Sequence, residues 1–363
     1  MKYNVTIVEF SGDYVAAVSS ALASLGWNPK EGSSYLIKPN MLNSKTSDEG
    51  VTTDPGIVSA LIGFLKGKGC RACVGDSPGN AYPGKARAVF EDTGMMKAVL
   101  EAGGEFLDFE GQPPVIGQIN GELVASVPFS KHVLEHRIIN VPKLKTHVQT
   151  VMTGAVKNLS FGCIQGASKS KLHTIGNTPE KMAKVMMDVY SYIRERVDLN
   201  LMDAIVCMDG NGPSFGRVRR VSKILASRDA LALDMVAFRM AGIDPLCVPH
   251  IREGIRRGIG PTSEDEIEVI GGPLPNYEFK IPSTFLRDLS LRFGSVVKRL
   301  VPKISFDKSR CVKCGECAGI CPEGAIEIVE YPVVDDSKCI RCYACYEVCE
   351  YNAVKIKQKA LPL

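Results

Sequence analysis

What this chain lacks narrows its class first. No stretch of its 363 residues approaches the ~18 consecutive apolar residues that a membrane span needs, so no span is expected. The opening segment MKYNVTIVEFSGDYVAAV has no positive leader followed by an apolar run, and no secretory signal is expected there. Low-complexity tracts are missing, and no flavin, nicotinamide or haem motif is legible. The net charge is only +4, which gives no ground for nucleic-acid binding. Many cysteines without an export signal suit a reducing compartment, so a cytoplasmic chain is expected.

What is present is concentrated at one end. Of thirteen cysteines, eight fall in the last fifty-odd residues, in two runs of one rhythm. The first is Cys311-x2-Cys314-x2-Cys317-x3-Cys321-Pro322, and the second is Cys339-x2-Cys342-x2-Cys345-x3-Cys349. A loop with two residues between successive thiolates wraps three corners of an iron–sulfur cube, and the fourth thiolate must come from elsewhere. The spacing therefore assigns Cys311, Cys314, Cys317 and Cys349 to one [4Fe–4S] cluster, and Cys339, Cys342, Cys345 and Cys321 to a second. Neither run contains a histidine, unlike the mixed Cys/His zinc sites, and a disulfide framework suits small secreted chains instead. Ile304 to about Lys357 resembles a bacterial two-cluster ferredoxin, departing from it at Glu350 where that family usually has proline. Each oxidised cube with its thiolates carries about −2, so two of them bring the loaded chain near neutrality.

The first 270 or so residues alternate short apolar strands with helical segments, which predicts an α/β domain with a mixed or mostly parallel sheet flanked by helices. Strands are expected at residues 3–9, 34–38, 71–75, 137–141 and 201–208. Helices are expected at 12–25, from Thr53-Asp54-Pro55 to Gly67–Gly69, from Thr178-Pro179 to about Arg196, and at 229–240. Asn120-Gly121 between apolar runs signals a hairpin. The division that follows is residues 1–280 as the α/β domain, 281–304 as a basic linker helix, and 305–363 as a small α+β ferredoxin-like domain. The linker carries Arg287, Arg292, Lys298, Arg299 and Lys303 against only Asp288.

Polar residues gather where strands end, which is where open α/β sheets bind ligands. The densest group follows strand 137–141. It reads Pro142-Lys143-Leu144-Lys145-Thr146-His147, then Thr153-Gly154-Ala155-Val156-Lys157-Asn158. Two lysines and a histidine off a buried strand predict a cationic pocket for carboxylate or phosphate. Lys171 and His173 belong to a second Lys/His-rich loop, Ser168–His173. Cys163 lies between these groups, and cationic neighbours favour its thiolate as a nucleophile or ligand. His147 and His173 are candidate proton donors or metal ligands. Lys38, Asn40, Asp54, Asp76, Asp209 and Asn211 sit at other strand ends as candidate substrate-binding groups. Asp209–Gly216 is rich in glycine, but Pro213 and the β-prone Arg217–Ile224 argue against a dinucleotide fingerprint. His132 and His136 share one helical face and are expected to be structural.

Together, Lys38-Pro39-Asn40, Thr53-Asp54-Pro55, Gly75-Asp76-Ser77-Pro78, Pro142–His147, Lys157-Asn158 and Asp209-Gly210-Asn211-Gly212-Pro213 resemble the DUF362 family. Its members are often fused to a two-cluster ferredoxin, and the family carries no assigned function. A looser likeness, of fold only, is to nickel-dependent lactate racemases. The expectation is an iron–sulfur oxidoreductase that takes electrons from a soluble carrier or partner enzyme. It would pass them to an anionic substrate or cofactor, with Lys143, Lys145, His147 and Lys157 as the holding groups. Two other readings remain open. One is a non-catalytic electron-transfer or cofactor-maturation protein that docks a partner; the other is a metal-dependent isomerase. A flavin or second metal is left open.

Overall fold

The computed structural model describes residues 2–166, 168–284 and 301–357. The chain begins with β1 (Tyr3–Glu9), α1 (Tyr14–Ser24) and β2 (Ser34–Pro39). Next come α2 (Pro55–Gly67) and β3 (Arg71–Val74). Asp54 starts α2 by accepting the Gly56 N–H, with Pro55 in the first turn where no donor is missed. Then follow α3 (Lys85–Asp92), α4 (Met95–Glu101), β4 (Glu105–Phe106), and the hairpin β5 (Val115–Gln118) and β6 (Ser126–Phe129). Asn120 in its turn has φ 53°, the left-handed conformation that asparagine tolerates.

The middle of the chain builds the site. It runs α5 (Lys131–Glu135), β7 (Arg137–Val141), β8 (Lys143–His147), β9 (Val151–Thr153), α6 (Ala155–Gly162), α7 (Ser168–Ile175) and α8 (Pro179–Ile193). β10 (Val197–Asp209), β11 (Arg217–Ser227), α9 (Ala230–Met240), α10 (Pro249–Arg256) and β12 (Ile267–Ile270) complete the domain.

One mixed sheet has the order β12-β1-β11-β10-β7-β2-β3-β4, with β8 and β9 attached beside β10. The run β10-β7-β2-β3-β4 is parallel, and β11 runs antiparallel to both β1 and β10. Alternation along each strand feeds two cores. Leu36 and Ile138 face the core made with α6, α8, α9 and α10, while Tyr35, Ile37 and Ile139 face the one made with α1, α2 and α4.

β10 is long enough to pair first with β7 and then with β8, which continue past each other across Pro142. The Pro142 carbonyl still accepts the Asp203 N–H at 2.8 Å, so the ladder is interrupted without leaving that donor unpaired. Two expectations change here. Lys143–His147 is a strand, not a loop off one, and residues 168–173 form a helix, not a loop.

The C-terminal module pairs β13 (Lys303–Phe306) with β16 (Val354–Lys357), and β14 (Ile326–Ile328) with β15 (Pro332–Val334). Two short helices, Glu316–Gly319 and Ala344–Val348, follow the cysteine loops. The expected linker helix falls largely on residues 285–300, outside the described residues; Lys303 itself lies in β13 and pairs with Asp336.

Candidate functional site

Two of the buried lysines are closed ion pairs. Lys38, at the end of β2, donates to Asp76 Oδ1 at 2.7 Å, and the Met41 N–H occupies Asp76 Oδ2 at 2.7 Å. A Cβ on Gly162 would collide with Lys38 Nζ and Asp76, so that turn of α6 must be glycine. Lys143 donates to Asp203 Oδ2 at 2.8 Å, and the Asp54 N–H shares that oxygen at 2.8 Å. The Ile205 N–H binds Asp203 Oδ1. Burial raises the Asp54 carboxyl, aided by Asp203, while its role as a helix cap is plain from the Gly56 contact. With every acceptor used, these groups hold strand ends together.

A second set is open. Lys145, on the same strand face as Lys143, reaches only neutral oxygens, Asn40 Oδ1 at 2.9 Å and the Val51 carbonyl at 2.6 Å. Burial pushes its ammonium well below the usual lysine range, and the charges of Lys157 and Lys143 push it further. Asn40 passes this order on through an amide chain. Asn40 donates to Asn158, Asn158 to Asn140 and Asn140 to Asn200, at 3.3, 2.8 and 2.9 Å.

Lys157, one turn into α6, lies 2.8 Å from His147 Nε2. The Gln149 N–H points at His147 Nδ1 from 3.1 Å, so the neutral ring carries its proton on Nε2. Burial lowers His147 to about 4, and it lowers Lys157 as well. His173 accepts from Gln149 Nε2 at 3.1 Å, and burial holds it at about 4. Lys169 spends its donors on Ser77 O, Ser77 Oγ and Pro78 O, each at 2.6 Å, and burial lowers it to about 8.

Beside these groups lies a cavity of about 70 Å³, with Lys145 and His147 outside its lining; it is several times the roughly 10–15 Å³ that one water occupies on this measure. Its wall includes Lys157, Lys169, His173, Thr153 and, from the C-terminal module, Glu347. Thr153 is 2% exposed and its hydroxyl has no hydrogen-bond partner among the described residues. Glu347 Oε1 faces His147 Nε2 at 3.2 Å, within ion-pair reach. A buried polar atom left unpaired at a cavity wall points to a missing ligand.

The module is seated by several contacts. Tyr346 Oη donates to the Asn211 carbonyl at 2.8 Å, Ser214 Oγ to the Glu347 carbonyl at 3.3 Å, and Thr174 Oγ1 to Glu323 at 2.8 Å. Lys85 pairs with Glu350 at 3.1 Å, which gives the residue standing in place of proline a role in docking. Asn80 donates to Glu316.

Two cavities in the module gather the cysteines four by four. One is walled by Cys311, Cys314, Cys317 and Cys349, the other by Cys321, Cys339, Cys342 and Cys345. This is the crossed partition that the spacing predicts. Burial raises the thiols of Cys317 to about 11 and Cys342 to about 12, and neighbouring thiolates add to it. Four crowded thiols ionise together only beside a compensating positive centre, and such a donor set fits a [4Fe–4S] cluster.

Other expected site residues are placed elsewhere. Cys163 is in the core, where burial raises its thiol to about 12, so it is not poised as a thiolate. Lys171 is exposed on the opposite side of α7 from Lys169 and His173. Asp209 binds Arg217 and Arg219, and Asn211 binds the module. Lys38 and Lys143 are structural pairs, Asp54 is a cap, and Asn40, Asp76 and Asn158 are in the cavity wall. Sequence reasoning missed Thr153, Gln149, Lys169 and Glu347. Lys169 and His173 carry a usable signal, being four residues apart on one helix. Among the described residues, the His/Cys/Asp/Glu trio close enough to hold a metal ion is His132, Glu135 and His136, none of which lines the cavity.

Comparison with known proteins gives two matches along the chain. Residues 36–239 match the profile of a domain of unknown function, DUF362, and residues 303–350 match a 4Fe-4S dicluster domain. The thylakoid-associated protein sll1697 of Synechocystis sp. is 30% identical over 260 residues, covering 70% of this chain and 78% of that protein.

Proposed function

The chain belongs to the DUF362 family with a 4Fe-4S ferredoxin domain, and we propose that it is an oxidoreductase reducing a small anionic substrate in the cavity closed by Glu347. The observation that carries this reading is the position of Glu347. It lines the cavity while standing between Cys345 and Cys349, one from each cysteine set. Two [4Fe–4S] clusters, one per cysteine cavity, would supply electrons singly and at low potential.

The chain's own groups account for binding and proton supply. Lys157 and Lys169 give the wall its positive charge, and Thr153 offers an unpaired hydroxyl. Lys169, already saturated by Ser77 and Pro78, acts through its field, whereas Lys157 keeps donors free beyond His147. With the His147 proton on Nε2, facing Glu347, Lys157 is the group in the wall placed to give a proton to a bound anion. The Asn40–Asn158–Asn140 chain fixes the floor, so little reorganises when the substrate arrives. A soluble carrier or partner enzyme would deliver the electrons, in the cytoplasm. No helix among the described residues is long and apolar enough to cross a membrane.

A docking-only role calls for these lysines on an open face, and they line a cleft instead. The test is anaerobic reduction of the holoprotein, followed by mixing with small carboxylates and oxyanions. At least one is expected to restore the iron–sulfur absorbance, and Lys157→Met is expected to slow it about 100-fold, the scale of a lost proton donor. Indifference to every anion, or an unimpaired Lys157→Met, sinks the proposal.

A further inference from the structure

The two halves of the C-terminal module are near copies in backbone and opposites in surroundings. Asp307 caps Ser309 as Asp335 caps Ser337, through the same pair of hydrogen bonds. Lys313 and Arg341 occupy the same left-handed position, with φ 61° and 55°. The Ala325 N–H points to Cys321 Sγ at 3.2 Å, and the Ala353 N–H to Cys349 Sγ at 3.3 Å. Loop geometry therefore does not distinguish the halves; what covers them does.

Cys314 is exposed, while its counterpart Cys342 is 7% exposed. Val312, in the first loop, is 54% exposed, and Tyr351 on the wall of the same cavity is 47% exposed. Charge differs as well. The first loop reads Lys308-Ser309-Arg310-Cys311-Val312-Lys313-Cys314, and the second reads Asp336-Ser337-Lys338-Cys339-Ile340-Arg341-Cys342. Lys308 and Lys313 both lie over the Tyr331 ring, at 5.3 and 4.4 Å, with no carboxylate partner among the described residues. In the second loop Asp336 pairs with Lys303, and Arg341 turns back to the Val301 carbonyl. Nearby carboxylates of the first half are engaged: Asp307 with Ser309 and Arg310, Glu316 with Asn80, and Glu350 with Lys85. The free carboxylates Glu327 and Glu330 belong to the β14–β15 hairpin.

We propose that the face formed by Val312, Cys314 and Tyr351 within the Lys308, Arg310 and Lys313 rim is the electron-entry surface, and that its partner is an acidic one-electron carrier protein. This rests on the electron-carrying reading above. An exposed ligand edge with an apolar collar lets a carrier approach the first cysteine cavity closely. Lys308 and Lys313, which have no ion-pair partner among the described residues, orient a carrier whose redox centre is ringed by carboxylates. One electron leaves the carrier and enters the chain; no bond is made, and no proton has to cross the contact. The second half, covered by the α/β domain, faces the substrate side.

The experiment mixes the anaerobic holoprotein with reduced flavodoxin, an acidic flavoprotein carrier, and separately with reduced methyl viologen, which needs no docking surface. Lys308→Glu with Lys313→Glu is expected to slow reduction by flavodoxin about tenfold or more at low salt, and the deficit should shrink as salt rises. Reduction by methyl viologen and iron content should stay as in the parent, as should flavodoxin reduction of Lys338→Glu in the second loop. The single Lys308→Glu variant replaces the double one if iron is lost. An undiminished flavodoxin rate, or an equal loss in Lys338→Glu, overturns the entry surface. Failure of methyl viologen to bleach the parent protein overturns the electron-carrying reading itself.

Discussion

Lys143 and Lys145 stand two residues apart on one strand, both almost fully buried, and they meet opposite fates. Lys143 finds Asp203 and is finished; Lys145 finds only amide and carbonyl oxygens. The same split runs through the whole centre. Lys38 is matched by Asp76, whereas Lys157 and Lys169 face the cavity with no direct ion pair among the described residues, carboxylates such as Glu347 and Asp76 acting on them only through their field. Buried positive charge is therefore a poor marker of a ligand site by itself. The marker is positive charge without a direct ion pair among the described residues, beside polar atoms such as the Thr153 hydroxyl that have no partner there.

The largest expected effect lies on the closed side. Asp203→Ala strands the Lys143 ammonium and two backbone donors, and should lower unfolding free energy by about 3–5 kcal/mol, as broken buried pairs do. Denaturant titration would show it, and an unchanged midpoint would erase the distinction drawn here. On the open side, Lys157→Met should cost roughly 100-fold in anion-dependent reoxidation while leaving the denaturant midpoint nearly unmoved. Equal stability losses in the two variants would mean that both lysines are structural.

Next is Gly162→Ala, which drives a methyl into the Lys38–Asp76 pair and should cost about 1–3 kcal/mol, with iron content preserved. Lys169 gives a pH signature. Its folded value of about 8 lies below the ordinary 10.5, so between those pH values the unfolded chain holds more protons than the folded one. Stability should then rise with pH across that window, as the buried charge is relieved. Affinity for the anion should fall above about pH 8 for the same reason, and Lys169→Met should flatten both profiles. The smallest effect is expected from Cys163→Ser, whose turnover should stay within about twofold because the thiol is not ionised at neutral pH. A larger loss would return Cys163 to the site.

The outline of the fold was legible because its signals are local. The helix at Pro55 is announced by Asp54, the hairpin by Asn120-Gly121, and the cysteine partition by spacing. Lys143–His147 was misread because its charges suggested a loop, although Lys-Leu-Lys-Thr-His alternates with the period of a strand. Lys171 was taken for a site residue where Lys169 is the one facing inward; the helical spacing to His173 carries that distinction. Asp203 and Glu347 had no local signal at all. Each matters through a partner far along the chain, and only tertiary packing brings Asp203 to Lys143 or Glu347 to His147.

The seat of Glu347 has a consequence for how the protein matures. Its helix, Ala344–Val348, is held at either end by a cysteine from a different set. Clusters in the two cysteine cavities would tie the segment that carries Glu347 from both ends, adding to the contacts Tyr346 and Ser214 already make. Loading of iron and the setting of that wall would then be one event, not two.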